Sequence, residues 1–228
     1  MKQKFTILFD LDGTLVDTAP DLMLAHNHVM KKFGYPTKST EDIRNLVGKG
    51  AGALIGRSIW GQAKKEFSKV LDAKIKDEMV KEFVNFYGKN IVNESTLVTG
   101  VKDFLIWCKE QNISMAVCTN KQEHLSNDLL KKIGIYDFFE YVAGSDTFDY
   151  CKPDPRHLTN VVEILDGDVK KTIMIGDSET DANAAKAAEI PVILLENGYT
   201  EKNTTEIYHN HLIKDFIGIE KIIKKYLW

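Results

Sequence analysis

The sequence predicts an α/β protein with a doubly wound parallel sheet, covered by helices on both faces, and an all-helical segment inserted after the first strand. Short apolar runs of β type alternate with amphipathic helical patterns along most of the chain. One long stretch, from Asp17 to about Tyr87, has helical patterns but no convincing strand. These observations predict a discontinuous core of residues 1–16 and 95–228, interrupted by a helical cap of residues 17–94.

The strands are predicted from short runs that are apolar nearly throughout, as is typical of parallel strands buried on both faces. In chain order they cover residues 5–9, 113–118, 138–142, 172–175 and 192–195. Parallel neighbours need a crossover connection, and a helical pattern lies between most of these runs. The runs are therefore expected to form one sheet.

The helices are predicted from apolar residues at helical spacing. Four patterns belong to the core: Val101, Phe104, Leu105 and Cys108; Leu125, Leu129, Leu130 and Ile133; Leu158, Val161, Val162 and Leu165; and the alanine-rich segment 181–188. Three belong to the insertion: Leu22, Ala25, Val29 and Phe33; Phe67, Val70 and Leu71; and Ile75, Met79, Val80, Phe83 and Phe86. Asp17 is expected to cap the first inserted helix.

Composition and charge exclude several classes of function. The chain has 228 residues, a formal net charge of -3 and no basic stripe, so neither nucleic acid nor an anionic membrane is expected as a partner. The three cysteines (Cys108, Cys118 and Cys151) form no CxxC pair, which favours reduced thiols. No signal peptide or membrane span is expected, because the first apolar run is short and ends in Asp10. We expect a cytoplasmic protein, either a monomer or a homodimer.

Residues with the chemistry of a metal and phosphate site follow four of the predicted strands. Ligands of open parallel sheets bind beyond the carboxyl ends of the strands, so these residues are expected to converge there. Carboxylates suit Mg²⁺, hydroxyl and amide groups suit phosphate oxygens, and a lysine balances charge. The candidates are Asp10, Asp12, Thr119, Asn120, Lys152, Asp177 and Asp181. Each alone is more often a helix cap or a turn former, whereas four such loops in order point to chemistry.

Together the four segments resemble the haloacid dehalogenase superfamily of phosphatases and phosphomutases. The matching motifs are Asp10-Leu11-Asp12-Gly13-Thr14, Thr119-Asn120, Lys152-Pro153, and Gly176-Asp177-Ser178 with Asp181. The resemblance implies a Rossmann-like core with the helical cap inserted directly after the first motif. One departure is Glu189, where relatives commonly carry a glycine, and it bears on the turn before the last predicted core strand.

The resemblance implies a Mg²⁺-dependent phosphomonoester hydrolase with an aspartyl-phosphate intermediate. By this resemblance Asp10 is the nucleophile, and Asp12 is the general acid and base. Mg²⁺ would be bound by Asp10, by the backbone carbonyl of Asp12 and by Asp177. Asp181 would orient a metal-bound water.

The remaining predicted residues bind the phosphoryl group and the leaving group. Thr119 and Asn120 would hold the phosphoryl oxygens, and Lys152 would offset the repulsion between the phosphate and the nucleophile. In the insertion, the glycine-rich turn that carries Lys49 is the expected specificity loop, and Lys49 or its rival Arg44 would bind a small carboxylate.

The insertion also resembles the caps of phosphoglycolate phosphatases, over residues 16–22 and 44–51. A small phosphorylated metabolite such as 2-phosphoglycolate is therefore the expected substrate. Three alternatives stay open: a sugar-phosphate phosphomutase, a pyrophosphatase of the same superfamily, and a phospho-accepting signalling module. The last is disfavoured, because receiver modules are shorter and have no helical insertion.

Overall fold

The computed structural model describes residues 4–63, without the side chains of 60–63, and residues 73–227. The helical pattern predicted from Phe67, Val70 and Leu71 lies outside the described residues.

Among these residues, six parallel strands form the sheet: β1 Thr6–Phe9, β4 Ser114–Cys118, β5 Tyr141–Ala143, β6 Thr172–Gly176, β7 Val192–Leu195 and β8 His211–Ile213. Their order across the sheet is β5-β4-β1-β6-β7-β8. Strand β1 lies in the middle, and its residue Thr6 pairs with Ser114 of β4 on one side and with Thr172 of β6 on the other. The doubly wound parallel sheet predicted from the sequence is confirmed.

Two details of the sheet differ from the prediction. The third strand is β5 rather than residues 138–142, because Tyr136–Phe138 forms a 3-10 turn and Phe139 packs edge-on against Phe9, with 5.8 Å between ring centroids. The aromatic run therefore serves packing instead of strand pairing. Strand β8 was not predicted.

Helices cover both faces of the sheet. They are α5 Val101–Glu110, α6 Glu123–Ile133, α7 Arg156–Ile164, α8 Glu179–Ala187 and the short α9 Glu220–Ile223. Side chains alternate between faces along β1, so Ile7 and Phe9 join one hydrophobic cluster, whereas Leu8 joins a second cluster on the opposite face. Burial on both faces explains why the strand sequences are apolar.

In the described part of the segment between two short strands that follow β1, there are four further helices. The helices are α1 Ala19–Phe33, α2 Thr40–Arg44, α3 Ala51–Ala63 and α4 Ala73–Lys89. The strands, β2 Val16–Asp17 and β3 Thr96–Leu97, pair antiparallel, with Val16 opposite Leu97. The chain therefore enters and leaves the helical segment at the same place, and the proposed boundaries of core and cap stay predictions.

Asp21 of α1 ties the exit of this helical segment to its entry. Its buried carboxylate accepts hydrogen bonds from the backbone N–H groups of Asn93, Glu94 and Ser95, at 2.9–3.2 Å, and from the Ser95 hydroxyl at 2.6 Å. Carboxylates that accept several such bonds are held firmly. The two connections are therefore fastened to each other.

Over the ranges that the structure describes, none of the helices combines the length and the apolar character needed to cross a bilayer.

Candidate active site

The sheet order brings the predicted site residues together. Asp10, Thr119 and Asp177 follow strands β1, β4 and β6, which are neighbours, so the three residues lie side by side at the carboxyl edge of the sheet. All three side chains are buried. Lys152 and Asp181 reach the same place from the loop before α7 and from the first turn of α8.

Three carboxylates form a compact acidic cluster. Asp10, Asp177 and Asp181 each offer an oxygen, and these oxygens lie within 4.8 Å of one another. The Lys152 ammonium lies 2.5 Å from Asp181 Oδ1 and 2.9 Å from Asp10 Oδ1, the latter an ion pair without hydrogen-bond geometry. With all groups ionised, the charge of one lysine leaves two of the three negative charges uncompensated.

Burial and mutual repulsion act on the pKa values of this cluster. Burial raises the pKa of Asp10 to about 6, although the charge of Lys152 opposes this effect. Burial, with the charges of Asp10 and Asp181, holds the pKa of Asp177 well above its usual value. Burial acts to lower the pKa of Lys152, but the attraction of Asp10 and Asp181 outweighs it and raises that pKa. The single positive charge of Lys152 is therefore too little to balance the three carboxylates of the cluster.

The donor set fits a hard divalent cation. Carboxylate oxygens are the ligands that Mg²⁺ prefers, and an ion of charge +2 would balance the excess negative charge. Asp10 Oδ1 is buried, and its contact with the Lys152 ammonium at 2.9 Å lacks hydrogen-bond geometry, so the described residues leave this oxygen without a hydrogen-bond donor and able to bind such an ion. The Asp12 carboxylate does not belong to the cluster found among the described residues, and the metal role predicted for Asp12 concerns its backbone carbonyl.

Asp181 contacts protein groups through both of its oxygens. Oδ1 accepts from Lys152, and Oδ2 accepts from the Ser178 hydroxyl at 2.7 Å and from the N–H groups of Ser178 and Asp177 at 3.0 and 3.2 Å. The bond from the Ser178 N–H is one half of the capping box that begins α8. Asp181 therefore fixes the loop that carries Asp177, and its predicted action on a metal-bound water stays a prediction.

Asp12 is held by a lysine that was not predicted from the sequence. Lys121 Nζ donates to both Asp12 oxygens, at 2.7 and 2.9 Å, and to the Tyr87 hydroxyl of α4 at 2.9 Å. The Thr18 hydroxyl also donates to Asp12 Oδ1, at 2.8 Å. Lys121 directly follows Thr119-Asn120 at the carboxyl end of β4, and this position in the sequence could have indicated that it belongs to the site.

Thr119 and Asn120 lie where they were predicted. The Thr119 hydroxyl accepts from the N–H of Lys121 at 3.2 Å. The Asn120 side chain donates to the backbone carbonyls of Lys152 at 2.9 Å and Gly48 at 3.1 Å. Asn120 thereby connects three loops around the site, and the predicted contact of its backbone N–H with phosphate stays a prediction.

The site opens into a cavity of about 260 Å³ between the sheet edge and the inserted helices. Asp10, Asp12, Thr119 and Asn120 line it, and so does Lys49, whose side chain is exposed. Arg44, the alternative candidate for binding a substrate carboxylate, is not among the residues that line this cavity.

That rival, Arg44, is bound elsewhere. Its guanidinium donates to Asp17 Oδ2 at 2.7 Å and lies over the ring of Tyr199, 5.4 Å from the centroid. Asp17 does not cap α1, because the N-cap position is occupied by Thr18 and the Asp17 carboxylate contacts Arg44 and Tyr199 instead. The cap role predicted for Asp17 is therefore wrong, and carboxylate binding by Arg44 would require this ion pair to break.

Tyr199, in the loop after β7, connects the acidic cluster to the start of the insertion. Its N–H donates to Asp177 Oδ2 at 2.6 Å, and its hydroxyl donates to Asp17 and accepts from the N–H of Ala19 at 2.9 Å. A Cβ added at the preceding Gly198 would lie 1.9 Å from the Asp177 carbonyl oxygen. Only glycine leaves room for this approach.

The fold and the site define an α/β enzyme of the phosphoryl-transfer class. The family model for "Haloacid dehalogenase-like hydrolase" matches residues 7–195. The chain belongs to the haloacid dehalogenase-like hydrolase family, and it is a phosphatase.

Curated relatives and a solved structure agree with this assignment. A phosphoglycolate phosphatase of Caulobacter vibrioides is 38% identical over 216 residues, covering 95% of this chain and 89% of the relative. A phosphoglycolate phosphatase of Mesorhizobium japonicum is 37% identical over 210 residues, covering 92% and 90%. The crystal structure of a predicted phosphoglycolate phosphatase from Haemophilus somnus superposes with a TM-score of 0.90 at 31% identity, covering 97% of this chain and 99% of that one.

Proposed function

We propose that this phosphatase is Mg²⁺-dependent, hydrolyses small phosphate monoesters such as 2-phosphoglycolate, and works through an aspartyl phosphate. The observation that carries the proposal is the compact cluster of Asp10, Asp177 and Asp181, in which Lys152 contacts Asp10 and Asp181 and from which Asp10 faces the cavity. The names of the relatives support 2-phosphoglycolate as the substrate. Cytoplasmic location and a monomer or homodimer remain part of the proposal.

Asp10 and Asp177, with the backbone carbonyl of Asp12, would hold the metal ion. When bound, Mg²⁺ supplies positive charge that offsets the charge of the phosphoryl oxygens. The rest of the positive charge comes from Lys152, which Asp181 of α8 holds beside Asp10.

The reaction would proceed in two displacements. In the first, a carboxylate oxygen of Asp10 bonds to phosphorus, the bond from phosphorus to the ester oxygen breaks, and Asp12 gives its proton to the leaving alkoxide. In the second, Asp12 takes a proton from water, the water oxygen bonds to phosphorus, and the bond from phosphorus to the Asp10 oxygen breaks, which releases inorganic phosphate and the Asp10 carboxylate. Thr119 and Asn120 would bind the equatorial oxygens as charge spreads over them.

Phosphate release from 2-phosphoglycolate tests the proposal. With Mg²⁺ the protein should turn over many times, and a chelator should abolish release. Asp10→Asn should lose at least 10³-fold in kcat, on the order of the loss seen when a nucleophile is removed. The matched control is Asp128→Asn, since Asp128 is exposed on α6 and should leave the rate unchanged. Near-normal turnover by Asp10→Asn would rule out the nucleophile assignment.

The same assay separates the alternatives. A phosphomutase would convert one sugar phosphate into its isomer without accumulating inorganic phosphate. A pyrophosphatase would prefer pyrophosphate to any monoester. A signalling module would form one stoichiometric, long-lived acyl phosphate instead of repeated turnover.

A further inference from the structure

The cavity beside Asp10 has a polar end and an apolar wall. The polar end contains Asp10, Asp12, Thr119 and Asn120 at the sheet edge. The wall is made mainly by aliphatic and aromatic side chains of α1, α3, α4 and α6 and the loop before α3: Leu22, Val47, Leu54, Val80, Phe83, Val84 and Leu125. A carboxylate placed against this wall would lose its hydration without gaining a partner, which is costly. A leaving group that carries a carboxylate therefore needs a cation of the protein beside that carboxylate within the cavity.

Two of the described residues that line the cavity are cations, Lys49 and Lys121. Lys49 is exposed, so solvent weakens its attraction for an anion. Lys121 is 8% exposed and lies at the polar end, where an ionic hydrogen bond is stronger.

The position of Lys121 relative to Asp12 restricts where a carboxylate can bind. Lys121 Nζ lies 2.7 and 2.9 Å from the two Asp12 oxygens. In order to protonate the ester oxygen, Asp12 must lie about 2.7 Å from it. Lys121 Nζ is then within about 5.5 Å of the ester oxygen, the sum of two such contacts. A carboxylate attached to the carbon that bears the ester oxygen lies within that reach.

Lys121 has enough hydrogen-bond donors to bind a substrate carboxylate as well as Asp12. Its ammonium group has three N–H donors, which now reach the two Asp12 oxygens and the Tyr87 hydroxyl. Two of these bonds hold the Asp12 carboxylate, whereas the third goes to a neutral hydroxyl. A carboxylate is a stronger acceptor for an ammonium group than a neutral hydroxyl, so the carboxylate of the substrate can take the donor that now reaches Tyr87 while Asp12 keeps both of its contacts.

We propose that Lys121, rather than Lys49 or Arg44, binds the leaving-group carboxylate, and that the substrates are phosphate esters of 2-hydroxy acids. This inference rests on the proposed phosphatase function and deepens it. Lys121 is then the residue that determines specificity, and it links recognition of the carboxylate to the general acid.

The test compares kcat/KM for 2-phosphoglycolate and for ethyl phosphate, which has the same two carbons without the carboxylate. The ratio of the two values is the readout, because Lys121→Met also disturbs Asp12 and slows both reactions. Lys121→Met should lower the ratio roughly 10- to 100-fold, the value of a hydrogen bond to a charged group, and Lys121→Arg should restore part of it. Lys132→Met, on the exposed face of α6, is the matched control and should leave both rates unchanged.

Several outcomes would overturn the inference. An equal loss on both esters in Lys121→Met would mean that Lys121 only positions Asp12. A fall of the ratio in Lys49→Ala instead would assign the carboxylate to that residue. If the wild type hydrolyses the phosphate ester of 3-hydroxypropanoate as fast as it hydrolyses 2-phosphoglycolate, the enzyme has no preference for esters of 2-hydroxy acids. In these three cases the phosphatase function stands, whereas failure of the wild type to hydrolyse any of the esters would refute both proposals.

Discussion

Replacing the proposed nucleophile should make the metal-free protein more stable while it abolishes turnover. In the folded chain, burial raises the pKa of Asp10 to about 6 from the ordinary value of 3.8. The folded state therefore holds a proton between these pH values that the unfolded state has released, so stability falls as pH rises through this window. Above about pH 6 the ionised carboxylate has its full destabilising effect.

The magnitude follows from the two pKa values. At about 1.36 kcal/mol per pH unit, the difference corresponds to about 3 kcal/mol of unfolding free energy. Asparagine resembles the protonated acid in shape and charge, so Asp10→Asn should gain up to that amount above about pH 6. For a chain of this size the gain corresponds to a rise in Tm of roughly 6–12 °C. Below pH 3.8 the gain should vanish, since Asp10 is then protonated in both states.

Urea unfolding of wild type and Asp10→Asn in EDTA, at pH 7.5 and at the lowest pH where both stay folded, measures this difference. Asp128→Asn again serves as the control and should lie within about 0.5 kcal/mol of wild type. Added Mg²⁺ should stabilise the wild type more than Asp10→Asn, because the variant lacks one metal ligand. A variant less stable than wild type at pH 7.5 in EDTA would show that the ion pair with Lys152 outweighs the cost of burial, contrary to this reasoning.

Three further predictions concern two backbone positions with positive φ and the proposed metal site. Gly13→Ala should lower kcat/KM at least 10²-fold, because the added Cβ would lie 2.2 Å from Asp177 Oδ2. The control is Gly134→Ala, since Gly134 has a similar positive φ of 81° and nothing within 4 Å of the added Cβ. It should keep full activity while losing about 1 kcal/mol of stability. Glu189→Gly should raise the unfolding free energy by about 1 kcal/mol in urea, since Glu189 has a φ of 58°, and an unchanged midpoint would contradict this. Mg²⁺ affinity, measured by calorimetry, should fall about tenfold per pH unit below about pH 6 as protons compete for Asp10, and a flat profile from pH 7 to 5 would exclude it as a ligand.

The sequence predicted the sheet and the acidic cluster well because local signals identify them. Parallel strands buried on both faces are apolar runs, and the loops that follow these runs carry, in order, residues suited to a metal and phosphate site. Glu189 was singled out by the resemblance as a departure at a turn, and the structure gives it a φ of 58°, in the region that favours glycine. Strand β8 was missed, since its three residues form no apolar run of useful length.

Contacts between distant segments could not be predicted from local signals. Lys121 meets Asp12 because β4 lies next to β1, and the sequence predicts strands without fixing which are neighbours. For a substrate carboxylate, the sequence favoured Lys49 and left Arg44 as its rival. Their difference is visible only once Asp17 is seen to bind Arg44 across 27 positions.

The double contact of Tyr199 has a consequence for how new specificities arise in this fold. One residue of the core holds Asp177 through its main chain and the first residues of the insertion through its side chain. A chimera that receives a foreign helical insertion without its matching tyrosine loop should therefore lose catalytic rate along with the old specificity. Exchange of substrate preference by recombination requires the two segments to be inherited as a pair, although 180 positions separate Ala19 from Tyr199.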